Sequence, residues 1–469
     1  MNVYIVSNRL PVKIVRQSGA ISTKPSSGGL VTGIQSLHDY HIKWSGWPGN
    51  TTLNREEKKE ATEILKKQNW LPVWMTQNDQ KLYYKGFSNE TLWPLFHYFV
   101  KFSIFNESYW KAYIKVNRMF CDHVVEHYEH EDIIWIQDYH LMLLPQMLRK
   151  KLPHAKIGFF LHIPFPHYEV FHILPWREAI LNGLSGADLI GFHTPKYARY
   201  FKESVSQIMG LEIDHNEHNW NNRHIRIGSF PMGIDPQKFG RQVQREETKQ
   251  AVRNYQRQFN GKKILISVDR LDYTKGIIAR LDAYYRFLEM HNENNNKVVY
   301  LMLTVPSRTS VAQYQIKKQE IDEHVGRING KFGTPFWTPI HYFYRSLDFE
   351  HLCALYAVAD IALVTPFRDG MNLVAKEWVI SKKHDKGVLI LSEFAGAAEQ
   401  LKEALIVNPF DTEQLANTIQ LAMKMPEDEQ YERLLKMQHT ISTSSVQRWA
   451  QQFIAQMEGQ VHDFAGITN

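Results

Sequence analysis

Residues 360–378 read DIALVTPFRDGMNLVAKEW, and no other segment indicates the architecture so directly. The apolar run predicts a buried strand from Ile361 to Thr365, followed by a tight turn at 368–370 and a helix that begins near Asn372. The free N–H groups and positive dipole end of such a helix form an anion site. Glu377 lies about a turn and a half further along, where a carboxylate can accept hydrogen bonds from sugar or ribose hydroxyls. The pattern therefore predicts a nucleotide-sugar site.

Strand-like and helical runs alternate throughout the chain, as is typical of parallel α/β proteins. A charged helical stretch at 240–259 separates two such series. We expect two doubly wound Rossmann-like domains that face a cleft, with ligands bound outside the carboxyl ends of the strands. The predicted strands are Val3–Ser7, Asp132–Gln137, Ile157–His162, Leu189–Phe192 and runs within 224–235, 262–270, 297–305, 361–365, 387–392 and 404–409.

The domain boundaries follow from the change in residue composition near residue 240, where the charged helical stretch begins. We predict an N-terminal Rossmann-like domain at 1–238 and a C-terminal one at 239–450. Residues 451–469 complete a helix that crosses back to the first domain. Apolar residues spaced like one helical face support this helix, namely Val446, Trp449, Phe453 and Met457.

Composition restricts the classes of protein. Hydrophobic residues make up 43% of the 469, which is ample for sizeable cores. The net charge of +6 suits small anionic substrates, whereas nucleic-acid binding requires a concentrated basic stripe that the sequence lacks. Cys121 and Cys353 lie far apart, which excludes a disulfide framework and favours a reducing compartment. Without a signal peptide pattern or a membrane-length apolar run, we expect a cytoplasmic protein that binds neither nucleic acid nor membrane.

Several polar residues of the first half follow predicted strands. Arg9 ends the first strand, and Asp138 and His162 lie at the carboxyl edge where ligands bind. The glycine pair that includes Gly29 permits close approach of a phosphate. Taken alone, such a pair is more commonly a structural turn. Arg9 adds weight to the binding interpretation because it can reach the same region.

Two aromatic residues, Tyr84 and Trp93, belong to the segment YYKGFSNETLWP at 83–94, for which we predict a loop-rich structure. Core packing is the usual role of aromatic side chains. A tyrosine hydroxyl and a tryptophan face are also common partners of a phosphorylated sugar. The sequence leaves both interpretations open.

Cations follow the strands of the second half. Arg270 and Lys275 lie five residues apart at a strand end and the next turn, where they suit a diphosphate leaving group better than a solvated surface pair. Arg308 follows the next strand. Since neither a phosphate-binding Walker loop nor a D-x-D metal motif occurs, we expect cations and helix ends to replace a metal ion. No metal ligand and no cofactor are predicted.

Together these residues resemble the trehalose-6-phosphate synthase family of retaining, two-domain (GT-B type) glycosyltransferases. The similarity runs from residue 2 to about 455. Gln137 departs from the family pattern, where histidine is frequent, and so does Thr274, where serine is common. The blocks that carry the resemblance are SNRLPV, SSGGLV, YYKGFSNETLWP, IWIQDYHL, LHIPFP, DLIGFHT, DRLDYTKG, VPSR, GRINGKFG, VTPFRDGMNLVAKE and LSEFAGAA.

The resemblance implies transfer of glucose from UDP-glucose to glucose-6-phosphate with retention, by a homo-oligomer (dimer or tetramer) without cofactor or metal. It assigns acceptor binding to residues 1–238 and donor binding to 239–450. The residues implied to hold glucose-6-phosphate are Arg9, Tyr84, Trp93, Asp138 and Arg308. Those implied to hold UDP-glucose are Gly29, His162, Arg270, Lys275, Asp369, Asn372, Leu373, Val374 and Glu377. The implied catalytic residues are His162, Arg270, Lys275 and Asp369.

Three alternatives remain open. A sister transferase, such as a glucosylglycerol-phosphate synthase or a pseudoglycosyl transferase, would share the donor half, so only the acceptor residues argue against it. A silent regulatory protein would have lost part of the donor set, which this chain keeps. Nucleic-acid binding is the third and weakest alternative.

Overall fold

The computed structural model describes residues 2–17, 20–25, 34, 40–211, 217–220, 223–259, 261–307, 312–382 and 386–459. The chain divides into two compact units, Met1–Met232 with Val446–Asn469, and Gly233–Ser445. The strands are β1 Asn2–Arg9, β2 Val12–Gln17, β3 Ala20–Pro25, β4 His41–Trp47, β5 Trp70–Pro72, β6 Ile133–Gln137, β7 Lys156–Phe160, β8 Leu189–Phe192, β9 Glu217–Trp220, β10 Arg223–Ser229, β11 Lys263–Arg270, β12 Val298–Val305, β13 Ile340–Tyr344, β14 Ile361–Val364, β15 Val388–Ser392 and β16 Leu405–Val407.

Helices connect most of these strands, as the predicted alternation requires. The α-helices span Arg55–Lys66, Gln77–Asp79, Trp93–Phe96, Glu107–His127, Leu144–Lys151, Tyr168–Phe171, Arg177–Leu184, Pro195–Met209, Pro236–Gln242, Glu246–Gln258, Ile277–Met290, Ala312–Phe332, Phe349–Val358, Leu373–Ser381, Thr412–Lys424, Glu427–Thr443 and Val446–Glu458. A π-helical segment spans Gln80–Leu92, and short 3₁₀ turns span Val100–Phe102, Tyr139–Leu141, Tyr273–Lys275, Asn292–Asn294 and Gly396–Glu399. Among the residues described, no helix combines the length and the apolar character that crossing a bilayer requires.

The first unit contains an eight-stranded sheet in the order β5-β4-β1-β6-β7-β8-β10-β9. All neighbouring strands pair in parallel except β10 with β9. Every residue of β6 is buried, as expected for a parallel strand covered on both faces. The strand order reverses between β1 and β6, so the loops that follow these two strands diverge and leave a crevice for ligands.

The C-terminal helix Val446–Glu458 packs on the sheet of this first unit. The rings of Trp449 and Phe453 lie 5.0 and 4.6 Å from the ring of Trp135 in β6. Gly158 and Gly191 in the neighbouring strands make room for Phe453, because a Cβ atom at either position would lie 2.7 Å from its ring. The predicted apolar face of the helix is therefore its buried face.

The second unit has a six-stranded parallel sheet in the order β13-β12-β11-β14-β15-β16. Numbered within the unit, this is the 3-2-1-4-5-6 order of dinucleotide-binding folds, with the reversal between β11 and β14. The prediction of two Rossmann-like parallel sheets is thus confirmed. Both strands at this reversal were predicted from their apolar runs.

Two local predictions were wrong. The strand predicted to extend to His162 ends at Phe160, so His162 lies two residues beyond it. The segment 83–94 is helical and not loop-rich. Packing overrides its turn-forming residues: the ring of Phe87 lies 4.5 Å from that of Tyr113, and Gly86 leaves the space that the ring of Tyr109 occupies.

Candidate active site

The second unit carries its candidate residues at the reversal of strand order. Arg270 is the last residue of β11 and is exposed, and Lys275 ends the 3₁₀ turn that follows. The loop after β14 lies against this turn, since the N–H of Phe367 donates to the carbonyl of Thr274 at 2.8 Å. Gly276 adopts a positive φ of 64° beside Thr365, where a Cβ atom would lie 2.6 Å from the carbonyl oxygen. The hydrogen bond and the missing Cβ atom of Gly276 allow the turn after β11 and the loop after β14 to lie close together.

Asp369 lies in the tight turn predicted after β14. Its Oδ2 accepts hydrogen bonds from the Lys275 ammonium at 2.5 Å and from the Asn372 side-chain amide at 3.0 Å. The backbone N–H of Asp369 donates to the carbonyl of Phe394 at 3.1 Å, which attaches the turn to the loop after β15. The carboxylate is therefore held by two donors at a fixed position.

The helix Leu373–Ser381 begins where the sequence predicted. Asn372 is its N-cap, with φ of 71°, and its side-chain oxygen accepts from the N–H of Ala375 at 3.2 Å. The N–H groups of Leu373 and Val374, both half-buried, receive no hydrogen-bond acceptor from the described residues. These two donors and the helix dipole are the features on which the predicted anion site depends.

Glu377, on the second turn of the same helix, accepts a hydrogen bond at Oε2 from the hydroxyl of Tyr356 at 3.1 Å. Burial raises the pKa of the Glu377 carboxyl to about 6, against the opposing effects of the Tyr356 hydrogen bond and the charge of Lys238. The carboxylate is ionised at neutral pH, and its second oxygen can accept hydroxyl donors.

Arg280 is a buried residue that the sequence analysis did not single out. Its guanidinium donates to Asp269 Oδ2 at 2.6 Å, to Thr365 Oγ1 at 2.9 Å and to the carbonyl of Lys275 at 2.9 Å. One side chain thus ties the end of β11, the cationic turn and the end of β14 together. Its only sequence signal is a charge at a position that the periodicity of the helix Ile277–Met290 places on the buried face.

In the first unit, Arg9 ends β1 and its guanidinium lies 4.8 Å from the centre of the Trp47 ring. Tyr84 contacts the same tryptophan edge-on at 5.9 Å and stacks on His140 at 5.9 Å. Gly49, at φ of 88°, leaves the space that the guanidinium occupies. Burial lowers the pKa of Arg9, opposed by Tyr84. Arg9 and Tyr84 therefore meet in one cluster at the carboxyl end of β1.

Asp138 follows β6, the strand beside β1, with φ of 73°. Its Oδ1 accepts from the backbone N–H of His162 at 3.2 Å, so the ends of β6 and β7 are joined at this carboxylate.

Trp93 is only 6% exposed, and its ring lies 5.9 Å from that of Tyr139. Most of the Trp93 side chain is therefore in packing contacts. Core packing was one of the two roles that the sequence left open for this residue.

His162 has its ring enclosed by other rings. Phe160, His193 and Trp449 lie 4.7, 5.4 and 5.9 Å from it between ring centres. This burial lowers the pKa of His162 to about 3, so the imidazole is neutral at physiological pH. Its Nε2–H donates to Gln137 Oε1 at 2.8 Å, which leaves Nδ1 as an acceptor.

Two predicted residues, Gly29 and Arg308, lie outside the described ranges. Of the others, the structure brings together Arg9 with Tyr84 and Asp138 with His162 in the first unit, and Lys275 with Asp369 and Asn372 in the second. Tyr356 and Arg280 were missed because only the folded chain brings Tyr356 to Glu377 and Arg280 to Thr365.

Comparison with known proteins supports a single family. Residues 1–459 match glycosyltransferase family 20. The alpha,alpha-trehalose-phosphate synthase [UDP-forming] 56 kDa subunit of Saccharomyces cerevisiae is 42% identical over 97% of this chain and 94% of its own length. The synthase [UDP-forming] A of Dictyostelium discoideum is also 42% identical over 97% of this chain, which spans 62% of that longer protein.

Solved structures agree with the sequence relatives. A structure from E. coli bound with UDP-2-fluoro glucose superposes with a TM-score of 0.89, at 33% identity over 98% of this chain and 100% of that one. An alpha,alpha-trehalose-phosphate synthase (UDP-forming) from Burkholderia xenovorans in complex with glucose-6-phosphate gives 0.88, at 32% identity over 98% and 100%.

Proposed function

We propose, from the premise that this chain belongs to glycosyltransferase family 20, that it transfers glucose from UDP-glucose to glucose-6-phosphate. The products are α,α-trehalose 6-phosphate and UDP, and the anomeric configuration is retained. Relatives named as UDP-forming trehalose-phosphate synthases support this reaction, as do related structures with glucose-6-phosphate and a UDP-sugar analogue. The observation that carries the proposal is the open helix N-terminus at Leu373 beside the Lys275–Asp369 pair.

The donor residues have complementary roles in this proposal. Arg270, Lys275 and the N–H groups of Leu373 and Val374 neutralise the diphosphate, whose charge grows as the glycosidic bond breaks. The Glu377 carboxylate accepts the ribose hydroxyls while Tyr356 fixes its orientation. Gly29 would admit a phosphate close to the backbone.

The sugar itself is proposed to contact Asp369 and His162. Asp369 already accepts hydrogen bonds from Lys275 and Asn372, which makes its carboxylate a poor nucleophile but a fixed acceptor for a sugar hydroxyl. His162 is neutral and offers an accepting nitrogen at Nδ1. Neither side chain is suited to form a glycosyl-enzyme bond.

Retention is therefore proposed to follow a front-face route. The bond between the anomeric carbon and the leaving phosphate oxygen breaks, and the acceptor hydroxyl oxygen bonds to the same face of that carbon. The hydroxyl proton passes to a diphosphate oxygen, so no protein carboxylate is consumed. The protein contributes orientation and charge stabilisation, which can supply most of such a rate enhancement.

Acceptor binding is proposed for the first unit and Arg308. The Arg9 guanidinium, held by Trp47 and Gly49, provides charge for the acceptor phosphate, and Arg308 provides a second cation. Tyr84, Trp93 and Asp138 supply the hydroxyl, ring and carboxylate contacts of the glucose.

The location and oligomeric state of the protein are separate proposals. The two thiols, Cys121 and Cys353, are unpaired and buried, which supports a cytoplasmic location. From the family resemblance we also propose a homo-oligomer.

The reaction can be tested with purified protein, glucose-6-phosphate and a panel of UDP-, GDP- and ADP-glucose in EDTA. We expect UDP-glucose to give UDP and a non-reducing disaccharide phosphate, in which proton NMR identifies two α-configured anomeric carbons. A β configuration at the anomeric carbon of the transferred glucose would contradict retention. Absence of any disaccharide with all three donors would contradict the transferase function, and activity only after addition of Mg²⁺ or Mn²⁺ would contradict the metal-independent mechanism.

A further inference from the structure

A second cluster of ligating side chains lies in the first unit, at the end of the helix Glu107–His127. His123, Glu126 and His127 occupy positions i, i+3 and i+4, which share one helix face. One ligating atom from each lies within 4.8 Å of the others, and the two imidazole rings are 4.4 Å apart between centres. The described part of the chain contains no other group of three His, Cys, Asp or Glu side chains this close.

The histidines are arranged as metal ligands require. His127 Nδ1 contacts the carbonyl oxygen of His123 at 2.9 Å. A carbonyl only accepts, so Nδ1 carries the proton and Nε2 presents its lone pair, the arrangement in which metal-bound histidines are commonly held. His123 Nε2 is buried and finds no hydrogen-bond partner among the residues that the structure describes. An ion at this position would satisfy a nitrogen that the protein itself leaves unsatisfied.

Charge also favours a cation at this helix end. Burial, with a smaller contribution from His127, lowers the pKa of His123 to about 4, so its lone pair is available at neutral pH. The negative end of the helix dipole lies here. Glu126 is exposed and forms no hydrogen bond or ion pair with any described residue, so its carboxylate is available. Lys43, which donates to the His127 carbonyl, has its charge balanced by Glu129 and Asp132 at 2.8 and 3.1 Å.

Open space adjoins two of the three side chains. Glu126 and His127, but not His123, line a cavity of about 460 Å³ together with Lys66, Asn2, His41 and Lys43. These last three residues lie near the start of β1 and β4, so the cavity lies at the amino ends of the strands. The candidate active-site residues of this unit follow the carboxyl ends of β1, β6 and β7. The histidine cluster and the candidate active-site residues of this unit therefore lie at opposite ends of the strands of the same sheet.

We propose that His123, Glu126 and His127 bind one divalent transition-metal ion of the zinc class, with water completing the coordination. Two imidazoles and one carboxylate suit Zn²⁺, Cu²⁺ or Ni²⁺ and are a poor set for Mg²⁺ or Ca²⁺. Tetrahedral zinc places its ligand atoms about 3.4 Å apart, so zinc binding requires the three ligand atoms, which lie within 4.8 Å of one another, to move closer together. The ion clamps the last helical turn and acts on stability, not on the transfer reaction. This inference departs from the sequence-based expectation that the chain has no metal ligands.

The test uses full-length protein without an affinity tag, titrated calorimetrically with ZnCl₂ in a buffer that does not bind zinc. Three variants are compared with the wild type: His127→Ala, Glu126→Gln and the matched control His130→Ala, which removes an exposed histidine outside the cluster. We expect one zinc ion per chain, bound at least about tenfold more weakly after His127→Ala and unchanged after His130→Ala. Zinc should raise the Tm of the wild type and of His130→Ala but not that of His127→Ala.

Glu126→Gln keeps the test decisive if His127→Ala unfolds, because the exposed Glu126 side chain supports no packing. Weaker zinc binding by this variant, with an unchanged circular dichroism spectrum, supports the site. The proposal is overturned if the wild type binds no zinc at micromolar concentration. It is also overturned if His130→Ala loses as much affinity as the folded cluster variants, which would indicate scattered binding by the 22 histidines of the chain.

Discussion

The ammonium of Lys275 lies 2.5 Å from the carboxylate of Asp369 and joins the turn after β11 to the turn after β14. These strands are neighbours at the reversal of strand order in the second sheet. The pair therefore fixes a cation and an anion where a parallel α/β sheet binds its ligands. Half-buried as they are, both charges are oriented by the protein before a substrate arrives.

Removing either donor cation should slow turnover. We expect Arg270→Ala and Lys275→Ala each to reduce kcat by about 10²-fold or more, because a preorganised charge that stabilises the leaving diphosphate is lost. The measurement is the rate of UDP release at saturating substrates. Arg286→Ala, an exposed arginine of the helix after the turn, is the matched control and should leave kcat unchanged. Near-normal turnover in Arg270→Ala or Lys275→Ala would contradict the proposed role of that residue in stabilising the leaving diphosphate.

Arg280 should act as a positioning residue for Lys275. Arg280→Met leaves the buried Asp269 without its partner, and we expect a loss of about 3–5 kcal/mol in the free energy of unfolding, measured in urea. Adding Asp269→Leu should recover much of this stability, since an apolar pair can replace a buried ion pair. The double variant should nevertheless keep a reduced kcat with little change in the KM for UDP-glucose. Full recovery of kcat together with stability would show that Arg280 is only structural.

Donor affinity should depend on the ionisation of Glu377. The ionised form accepts ribose hydroxyls, so the Kd for UDP-glucose should rise as the pH falls through about 6. UDP-glucose is the appropriate ligand for the titration because its diphosphate does not titrate in this range. Tyr356→Phe removes a hydrogen bond that stabilises the carboxylate and should move the inflection to higher pH. If Glu377→Gln keeps the wild-type pH dependence, another group is responsible.

The local structure around the proposed donor residues was largely predictable because its signals are close together in sequence. The apolar run of β14, the Asp369 turn and the Asn372 cap occur within a dozen residues, and each has a local signal. Arg280 could not be assigned in the same way, since one of its partners, Thr365, is 85 residues away. An arginine within a helical pattern is ordinarily solvated, so its position on the apolar face of the helix was a weak signal of burial.

The prediction of a loop-rich structure for the segment 83–94 was wrong for a different reason. Gly86, Asn89 and Pro94 are turn-forming residues and indicated a loop. The structure is helical because Phe87 and its neighbours bury their rings against the helix Glu107–His127, and tertiary packing outweighs local propensity. The family resemblance implied an acceptor role for Tyr84, but nothing in the sequence indicated its contact with the Trp47 ring that also holds Arg9.

Arg9 should determine acceptor affinity. Arg9→Ala removes a partly buried cation from the cluster with Trp47 and Tyr84, and we expect the KM for glucose-6-phosphate to rise by about 10-fold or more. The KM for UDP-glucose should change by less than about twofold, since most of the proposed donor residues belong to the other unit. Lys13→Ala, an exposed cation of β2, serves as the control. Equal increases in both KM values would contradict this division of roles.

The most direct test of the central claim compares acceptors at a fixed concentration of UDP-glucose. Initial rates of UDP release are measured with glucose-6-phosphate, free glucose and glycerol-3-phosphate, and each product is identified by mass spectrometry and NMR. A cationic pocket left unpaired by an unphosphorylated sugar rejects it strongly, so glucose-6-phosphate should exceed glucose by at least about 10³-fold in kcat/KM. Its product should be α,α-trehalose 6-phosphate. Free glucose or glycerol-3-phosphate serving equally well would contradict the proposed reaction.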